Sequence, residues 1–183
     1  MARIETFQAK LKSGDAVTIR AGVESDAAAL LNTLAVNLAQ GEGQLWEEGE
    51  FAPTEEQERA WIRGMLENPG ELLLVAEKDG EIIGNIDCHR GARRRLSHTA
   101  VFGMSVMPPW RSQGLGEILL KSVIEWAKGN PSLEKLELHV LSSNARAIAL
   151  YSKLGFKEEG RLIKAIKYSD GRYDDDVCMG LFV

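Results

Sequence analysis

Apolar and polar positions change period several times along the chain, and each change predicts an element. Ala16 to Arg20 alternates and predicts a first strand, after which Ala29, Leu30, Leu34 and Leu38 follow helical spacing behind Ser25 or Asp26, either of which would cap a helix. Gln40-Gly41-Glu42-Gly43 ends that helix. Gln44 to Pro53 carries glycine, acids, Trp46 and Phe51 with no clean period and predicts a surface loop, and Thr54-Glu55-Glu56-Gln57 reads as the capping box of a second helix running to about Asn68-Pro69-Gly70.

The period then shortens. Leu72 to Glu77 and Ile82 to His89 are short apolar or alternating runs joined by Lys78-Asp79-Gly80-Glu81, a hairpin signature. A strand from Leu96 to Val106 closes at Pro108-Pro109, which cannot continue a ladder. Behind a glycine-rich turn, Ile118, Leu119, Val123, Trp126 and Ala127 form one helical face that stops near Gly129-Asn130-Pro131, before a strand at Leu136 to Val140. Strand, helix, strand implies parallel pairing. A helix from Asn144 to Leu154 ends at Gly155, and the tail makes two strands around Ser169-Asp170-Gly171. The expected order is βααβββαβαββ: an α/β fold with a mixed, twisted sheet of about six or seven strands and helices on both faces.

Composition narrows the classes without changing this picture. The 183 residues are 44% hydrophobic and 27% charged, so one globular domain spanning 1–183 is expected. Twenty-two basic against 27 acidic side chains give a net charge of −5, which disfavours nonspecific nucleic-acid binding. The longest apolar run, Leu72 to Ala76, is far too short to span a bilayer, and Met1 to Leu11 is too polar for a signal peptide, so a cytoplasmic protein without a membrane partner is expected. Cys88 and Cys178 form no CxxC or Cys/His motif and read as buried apolar residues, with no zinc site suggested. Asp174-Asp175-Asp176 points to alternating faces of a strand and cannot converge on one ion, so no metal is assigned.

The chemically informative segment is Val106-Met107-Pro108-Pro109-Trp110-Arg111-Ser112-Gln113-Gly114-Leu115-Gly116, which passes from a strand end into a helix. Glycines at 114 and 116 would let the N–H groups of Ser112 to Gly116 converge beside the positive end of the helix dipole, a cradle suited to a pyrophosphate, to which Arg111 would add a charge unless it pairs on the surface. The alternative is a plain helix-capping turn. A dinucleotide fingerprint fails because Leu119 stands at its third glycine, and a P-loop fails because Leu120 precedes Lys121-Ser122.

With Asn144-Ala145-Arg146-Ala147-Ile148-Ala149-Leu150-Tyr151-Ser152-Lys153-Leu154-Gly155-Phe156, the chain resembles the GNAT family of acetyl-CoA-dependent N-acetyltransferases. Arg111, Gly114 and Gly116 match [QR]-x-x-G-x-[GA], and Asn144 to Phe156 matches N-x-x-A-x-x-L-Y-x-K-x-G-F throughout. The tail from Phe156 to Met179 looks most like the branch that acetylates ribosomal-protein N-termini, small amines and amino-acid-like antibiotics. The resemblance implies acetyl-CoA as donor and no metal. It implies that the strand before the loop is splayed from its parallel neighbour by a bulge, with main-chain bonds from Met104 and Val106 to pantetheine. Ser112, Gln113, Gly114, Leu115 and Gly116 would hold the pyrophosphate, Asn144 would lie near the acetyl end, Arg146 near the adenine-ribose-phosphate part, and Tyr151 at the sulfur.

Acetyl transfer to an amine needs an unprotonated nucleophile, an oxyanion site and a proton for the leaving thiolate. Tyr151 is the candidate general acid, with a core-facing ring as its alternative, and the N–H of Val106 the candidate oxyanion donor. The base is the weak point, because Ser97 to Val106 contains no carboxylate. Asp87, His98, His139, Glu47 and Glu48 are substitutes acting through water, each with a structural or solvated alternative. Trp46, Glu48 and Phe51 would suit the wall of a cationic acceptor site, or else a packed connector. Arg93 to Arg95 would grip an anion or solubilise a hairpin edge. The acceptor is expected to be a protein N-terminus, an amino-acid-like amine, a polyamine or an antibiotic amine. A noncatalytic acyl-CoA-binding or sensing module remains the competing reading. Pairing or exchange of the tail strands would make a homodimer.

Overall fold

The computed structural model describes residues 4–41, 43, 45–46 and 49–183. One mixed sheet of eight strands runs in the order β1-β2-β3-β4-β5-β6-β8-β7. Its members are β1 (Phe7–Lys10), β2 (Ala16–Ala21), β3 (Leu72–Lys78), β4 (Glu81–Arg90), β5 (Thr99–Val106), β6 (Lys135–Leu141), β7 (Lys157–Lys167) and β8 (Tyr173–Phe182). The helices are α1 (Ala27–Gln40), α2 (Glu55–Glu67), α3 (Leu115–Lys128) and α4 (Ala145–Lys153).

Alternation along the strands sends side chains to two cores. Leu72, Leu74, Ala76, Ile86, Cys88, Ala100 and Phe102 pack with Leu119, Leu120 and Val123 of α3 and Tyr151 of α4. Leu73 and Val75 turn the other way, against Ala27, Leu30, Ile62 and Met65 of α1 and α2. Helices therefore cover both faces.

Most predicted elements stand where their patterns put them. The Thr54 capping box forms, with Thr54 Oγ1 accepting from Gln57 N–H at 3.2 Å and Gln57 Oε1 accepting from Thr54 N–H at 2.8 Å. The hairpin turns at Asp79 and Gly80, both at positive φ.

Several expectations need correction. The sheet has eight strands because β1 precedes the predicted first strand and pairs antiparallel with β2, its exposed residues leaving no apolar signature. Strand β5 begins at Thr99, since residues 91–98 form a turn closed by Arg90 Nε on Ser97 C=O and Thr99 Oγ1 on Leu96 C=O. Asp26 does not cap α1. Its carboxylate takes both guanidinium amines of Arg20 at 2.7 and 2.8 Å and the N–H of Val23 at 2.8 Å, fixing a short 3₁₀ turn before the helix. Cys88 is buried, but Cys178 is half-exposed.

Candidate functional site

The turn between β5 and α3 presents a row of unbonded donors. None of the N–H groups of residues 112–117 donates to an acceptor among the described residues, and the first helical bond is Ile118 N–H to Gly114 C=O at 3.1 Å. Gly114 takes φ 92°, a conformation that L side chains resist, and Ser112 is left-handed at φ 62°. A Cβ on Gly116 would lie 3.3 Å from Met104 Cε and 3.5 Å from Leu150 Cδ2, so β5 and α4 close in on the helix start. The turn is braced by Gln113, whose amide donates to Pro109 C=O at 2.8 Å and whose C=O accepts from Lys12 N–H at 2.9 Å. The Lys12 side chain lies beside the turn, its Cε 3.9 Å from where a Gly114 Cβ would stand.

Beside this turn the sheet opens. Strands β5 and β6 pair in parallel only at Thr99, Ala100 and Val101, although both continue for several residues. The β4–β5 register is regular from Ala100 to Val106, so the expected bulge is absent and the splay comes from the early end of parallel pairing. Met107 N–H bonds to Ile83 C=O on β4, which turns the main-chain groups of Met104 and Val106 to the opposite, open side. Arg111 ties this strand end to α1: its Nε donates to Val106 C=O at 3.1 Å and its Nη2 to Asn37 Oδ1 at 2.7 Å.

The far lip of the opening is the β6–α4 connection. Asn144 caps α4 through Oδ1, accepting from Ala147 N–H at 3.1 Å, and Gly43 of the α1–α2 loop lies against its amide. Asp174 on β8 holds this connection by accepting from the hydroxyls of Ser142 and Ser143 and from the N–H groups of Ser143 and Asp175. Burial works against its ionisation, but these donors outweigh it and hold the carboxyl down at about 2. Asp174→Ala is expected to destabilise the protein by about 3 kcal/mol, since it removes a buried carboxylate that accepts several charge-assisted hydrogen bonds from part-buried donors. That is a Tm loss of roughly 6–12 °C for a domain of this size. Because the folded carboxyl sits below its ordinary 3.8, its contribution is complete above that pH and is lost as the pH falls toward about 2. Urea unfolding of both proteins from neutral pH downward checks the narrowing gap.

An acidic pocket of about 630 Å³ lies on the other face of β4 and β5, lined by residues including Glu50, Phe51, Glu58, Trp61, Asn85, Asp87 and Ser105. In register, Asn85 pairs with Ser105 and Asp87 with Gly103, so the floor is the strand that borders the splay. A side chain on Gly103 would begin 3.3 Å from the Asp87 carboxylate; its absence leaves that group open. His89 Nε2 lies 3.2 Å from Asp87 and Nδ1 3.5 Å from Glu71, with the ring tilted on Trp61. The bond to Asp87 raises the His89 pKa. Burial first, and the charge of Asp87 second, raise the pKa of Glu58. No Lys, Arg or His is among the described residues that line the pocket.

The predicted site residues separate under this geometry. Met104, Val106, Arg111, Ser112, Gln113, Gly114, Leu115, Gly116 and Asn144 are assembled around one opening. Arg146 is exposed on α4. Tyr151 is 9% exposed, with its ring 5.8 Å from Phe102 and 6.0 Å from Phe156, so the core-facing alternative describes the ring; burial pushes the phenol up to about 12. Asp87 lies in the acidic pocket. His98 does not: it is exposed in the turn before β5, at the opposite end of that strand from Val106. His139 is on β6, bonded to Asp176. Trp46 and Phe51 stack at 5.3 Å, both exposed, and Phe51 lines the pocket. Glu47 and Glu48 lie outside the described residues. Arg93, Arg94 and Arg95 are exposed in the 91–98 turn.

Sequence reasoning missed Glu58, Trp61, Asn85 and Ser105. Glu58 sits in the acidic first turn of α2, where a carboxylate is expected for dipole reasons alone. Lys12 was missed because no motif reaches it.

Comparison with known proteins settles the family. The Acetyltransferase (GNAT) family matches residues 37–156. The chain belongs to it. It is 34% identical over 119 residues to the L-amino acid N-acetyltransferase AaaT of Escherichia coli K12, covering 65% of this chain and 73% of that protein. It is 37% identical over 86 residues to the [ribosomal protein bS18]-alanine N-acetyltransferase of the same organism, covering 47% and 57%. A GNAT acetyltransferase structure from Streptococcus pneumoniae superposes with a TM-score of 0.87 at 26% identity, over 91% of this chain and 99% of that one. The yncA structure from Salmonella typhimurium, solved with its cofactor acetyl-CoA, has the same fold, with a TM-score of 0.81 at 22% identity over 91% and 93%. This GNAT chain is accordingly an acyltransferase, and no helix among the described residues is long and apolar enough to cross a membrane.

Proposed function

We propose that this GNAT protein transfers acetyl from acetyl-CoA to a primary amine that carries no carboxylate beside it, as at a protein N-terminus or in a polyamine. The observation that carries this is the pairing of two sites across β5. Unbonded amides at residues 112–117 suit a diphosphate, and a pocket rich in carboxylates, with no cation among its described lining residues, suits an amine. The residues fit acetyl-CoA: the diphosphate lies on the amides beside Lys12, and the pantetheine arm follows the open edge of Met104 and Val106. A free amino acid would bring its carboxylate against Asp87 and Glu58. The closeness to AaaT is a likeness of chain, and the pocket argues for a different acceptor.

The reaction is direct attack in a ternary complex. The amine nitrogen bonds to the thioester carbonyl carbon, and the C–S bond breaks. The Val106 N–H faces the developing oxyanion. The amine proton passes through water to Glu58, whose raised pKa suits the task better than an ordinary carboxyl; Asp87, held by His89, supplies the negative field. An α-amine near pKa ~7.7–8.0 needs little of this help at neutral pH, a lysine amine near ~10.4 much more. The carboxylates absent from Ser97 to Val106 are thus supplied by α2 and β4, which favours catalysis over simple sensing.

The deciding experiment compares a free amino acid with its own carboxamide, following CoA release and correcting for the fraction of free amine. The amide is expected to have a kcat/KM at least about 10-fold higher, worth ~1.4 kcal/mol. Equal values would remove the acceptor assignment. Acetyl-CoA binding by calorimetry tests the donor half separately.

Tyr151 is assigned the proton for the leaving thiolate. A phenol at about 12 keeps its proton across the working range, and handing it to a thiolate of pKa near ~8.5 is uphill. Its contribution therefore falls at the low end of general-acid effects, and Tyr151→Phe is expected to lower kcat by about 10–100-fold with the KM for acetyl-CoA unchanged. A KM effect alone would reassign the residue to packing.

The protein acts in the cytoplasm on this reading, where acetyl-CoA and its acceptors meet. Two chains would pair along β7, an edge strand whose Leu162 and Ile163 are 58% and 67% exposed.

A further inference from the structure

Strands β6 and β8 bring His139 against Asp176 and Cys178, 37 and 39 residues further along the chain. His139 Nδ1 is 2.9 Å from Asp176 Oδ2 and 3.4 Å from Cys178 Sγ, and all three ligand atoms lie within 4.8 Å of one another. The antiparallel register sets His139 opposite Cys178 and Leu141 opposite Asp176, so the three side chains share one face. That face also carries Asp87, because Val101 aligns with Glu137 on β6 and with His89 on β4. No helix of the acetyltransfer site covers His139, which is 52% exposed. None of the three has a task in the proposed reaction.

We infer that His139, Asp176 and Cys178 form a binding site for one thiophilic divalent cation of the zinc type. Bonds of ~2.0 Å to nitrogen and oxygen and ~2.3 Å to sulfur in a tetrahedron require ligand–ligand edges of roughly 3.3–3.6 Å. The observed edges at His139 are already near those values, and rotamer changes at half-exposed side chains supply the rest. A thiolate and a carboxylate together carry two negative charges, equal to the cation's charge. The fourth position faces solvent. Sulfur and imidazole select zinc, cobalt or cadmium over magnesium and calcium, which prefer all-oxygen shells. Glu137 and Glu159 lie nearby, each accepting from Lys135 Nζ. Binding forms the S–metal bond and breaks the S–H bond, releasing one proton to solvent per ion.

The site is unconnected to the donor and acceptor assignments, so its test stands apart from theirs. Co(II) titrated into the full reduced chain is expected to give a sulfur-to-cobalt charge-transfer band and intense tetrahedral d–d bands, saturating at one equivalent. Zn(II) should bleach both, and Mg(II) should produce neither. Cys178→Ser should abolish the charge-transfer band, with Cys88, buried in the core, providing no substitute, while acetyltransfer continues unchanged. Asp176→Asn should weaken binding by at least about 10-fold. Zn(II) should raise the Tm of the native chain and leave that of Cys178→Ser unmoved. Absence of the band in the native chain, its survival in Cys178→Ser or His139→Ala, or a stoichiometry of one ion per two chains would overturn the site.

Discussion

Gly114→Val is expected to lower kcat/KM for acetyl-CoA by about 100-fold while the protein remains folded. Valine at φ 92° is sterically opposed, at about 1–2 kcal/mol for the left-handed conformation alone, so the turn would relax toward negative φ. Relaxation rotates neighbouring N–H groups away from their common focus. Losing even one hydrogen bond to a charged phosphate costs about 1.5–3 kcal/mol, and the sum reaches the ~2.7 kcal/mol that a hundredfold requires. The effect belongs in donor affinity, read by calorimetry, with the acceptor KM unmoved. A change within about threefold would mean that these amides do not hold the diphosphate.

Glu58→Gln is expected to reduce kcat by about 100-fold, the lower end of general-base effects, because an α-amine sheds its proton easily near neutrality. The companion Asp87→Asn has a direction that separates the two groups. Glu58 is raised above its ordinary 4.5 first by burial and second by the negative charge of Asp87, so removing that charge lowers the Glu58 pKa. The acid limb of kcat, corrected for protonation of the acceptor, should therefore move to lower pH in Asp87→Asn and vanish in Glu58→Gln. If Glu58→Gln keeps the native limb, the proton goes elsewhere, and Asp87 itself becomes the base to test by the same profile.

The turn proposed to hold the donor was legible in the chain because its parts are contiguous. A strand end, two glycines and a helix start occupy eleven consecutive residues, Val106 to Gly116, and local backbone geometry alone makes them a cradle. The α4 motif was legible for the same reason, and so was the hairpin at Asp79-Gly80. Strand β1 was not, because a half-exposed edge strand lacks the alternation that marks burial.

Of the acidic pocket only Asp87 and Phe51 were legible, because its parts come from different elements. Glu58 in a helix start and Asp87 on a strand each satisfy an ordinary local rule, and only the packing of α2 against the sheet makes them neighbours whose charges interact. Residues 139, 176 and 178 likewise meet only through the β6–β8 register. What the sequence determined by itself was the order of elements from β2 onward, the glycine turn with its unbonded amides and the family, all of which rest on interactions between near neighbours in the chain. What only tertiary structure decided was that the splay comes from short parallel pairing without a bulge, together with the acidic pocket, the exclusion of His98 and the meeting of His139, Asp176 and Cys178. Those depend on which strands pair and where pairing stops, a choice made by burial over the whole sheet rather than by any single segment.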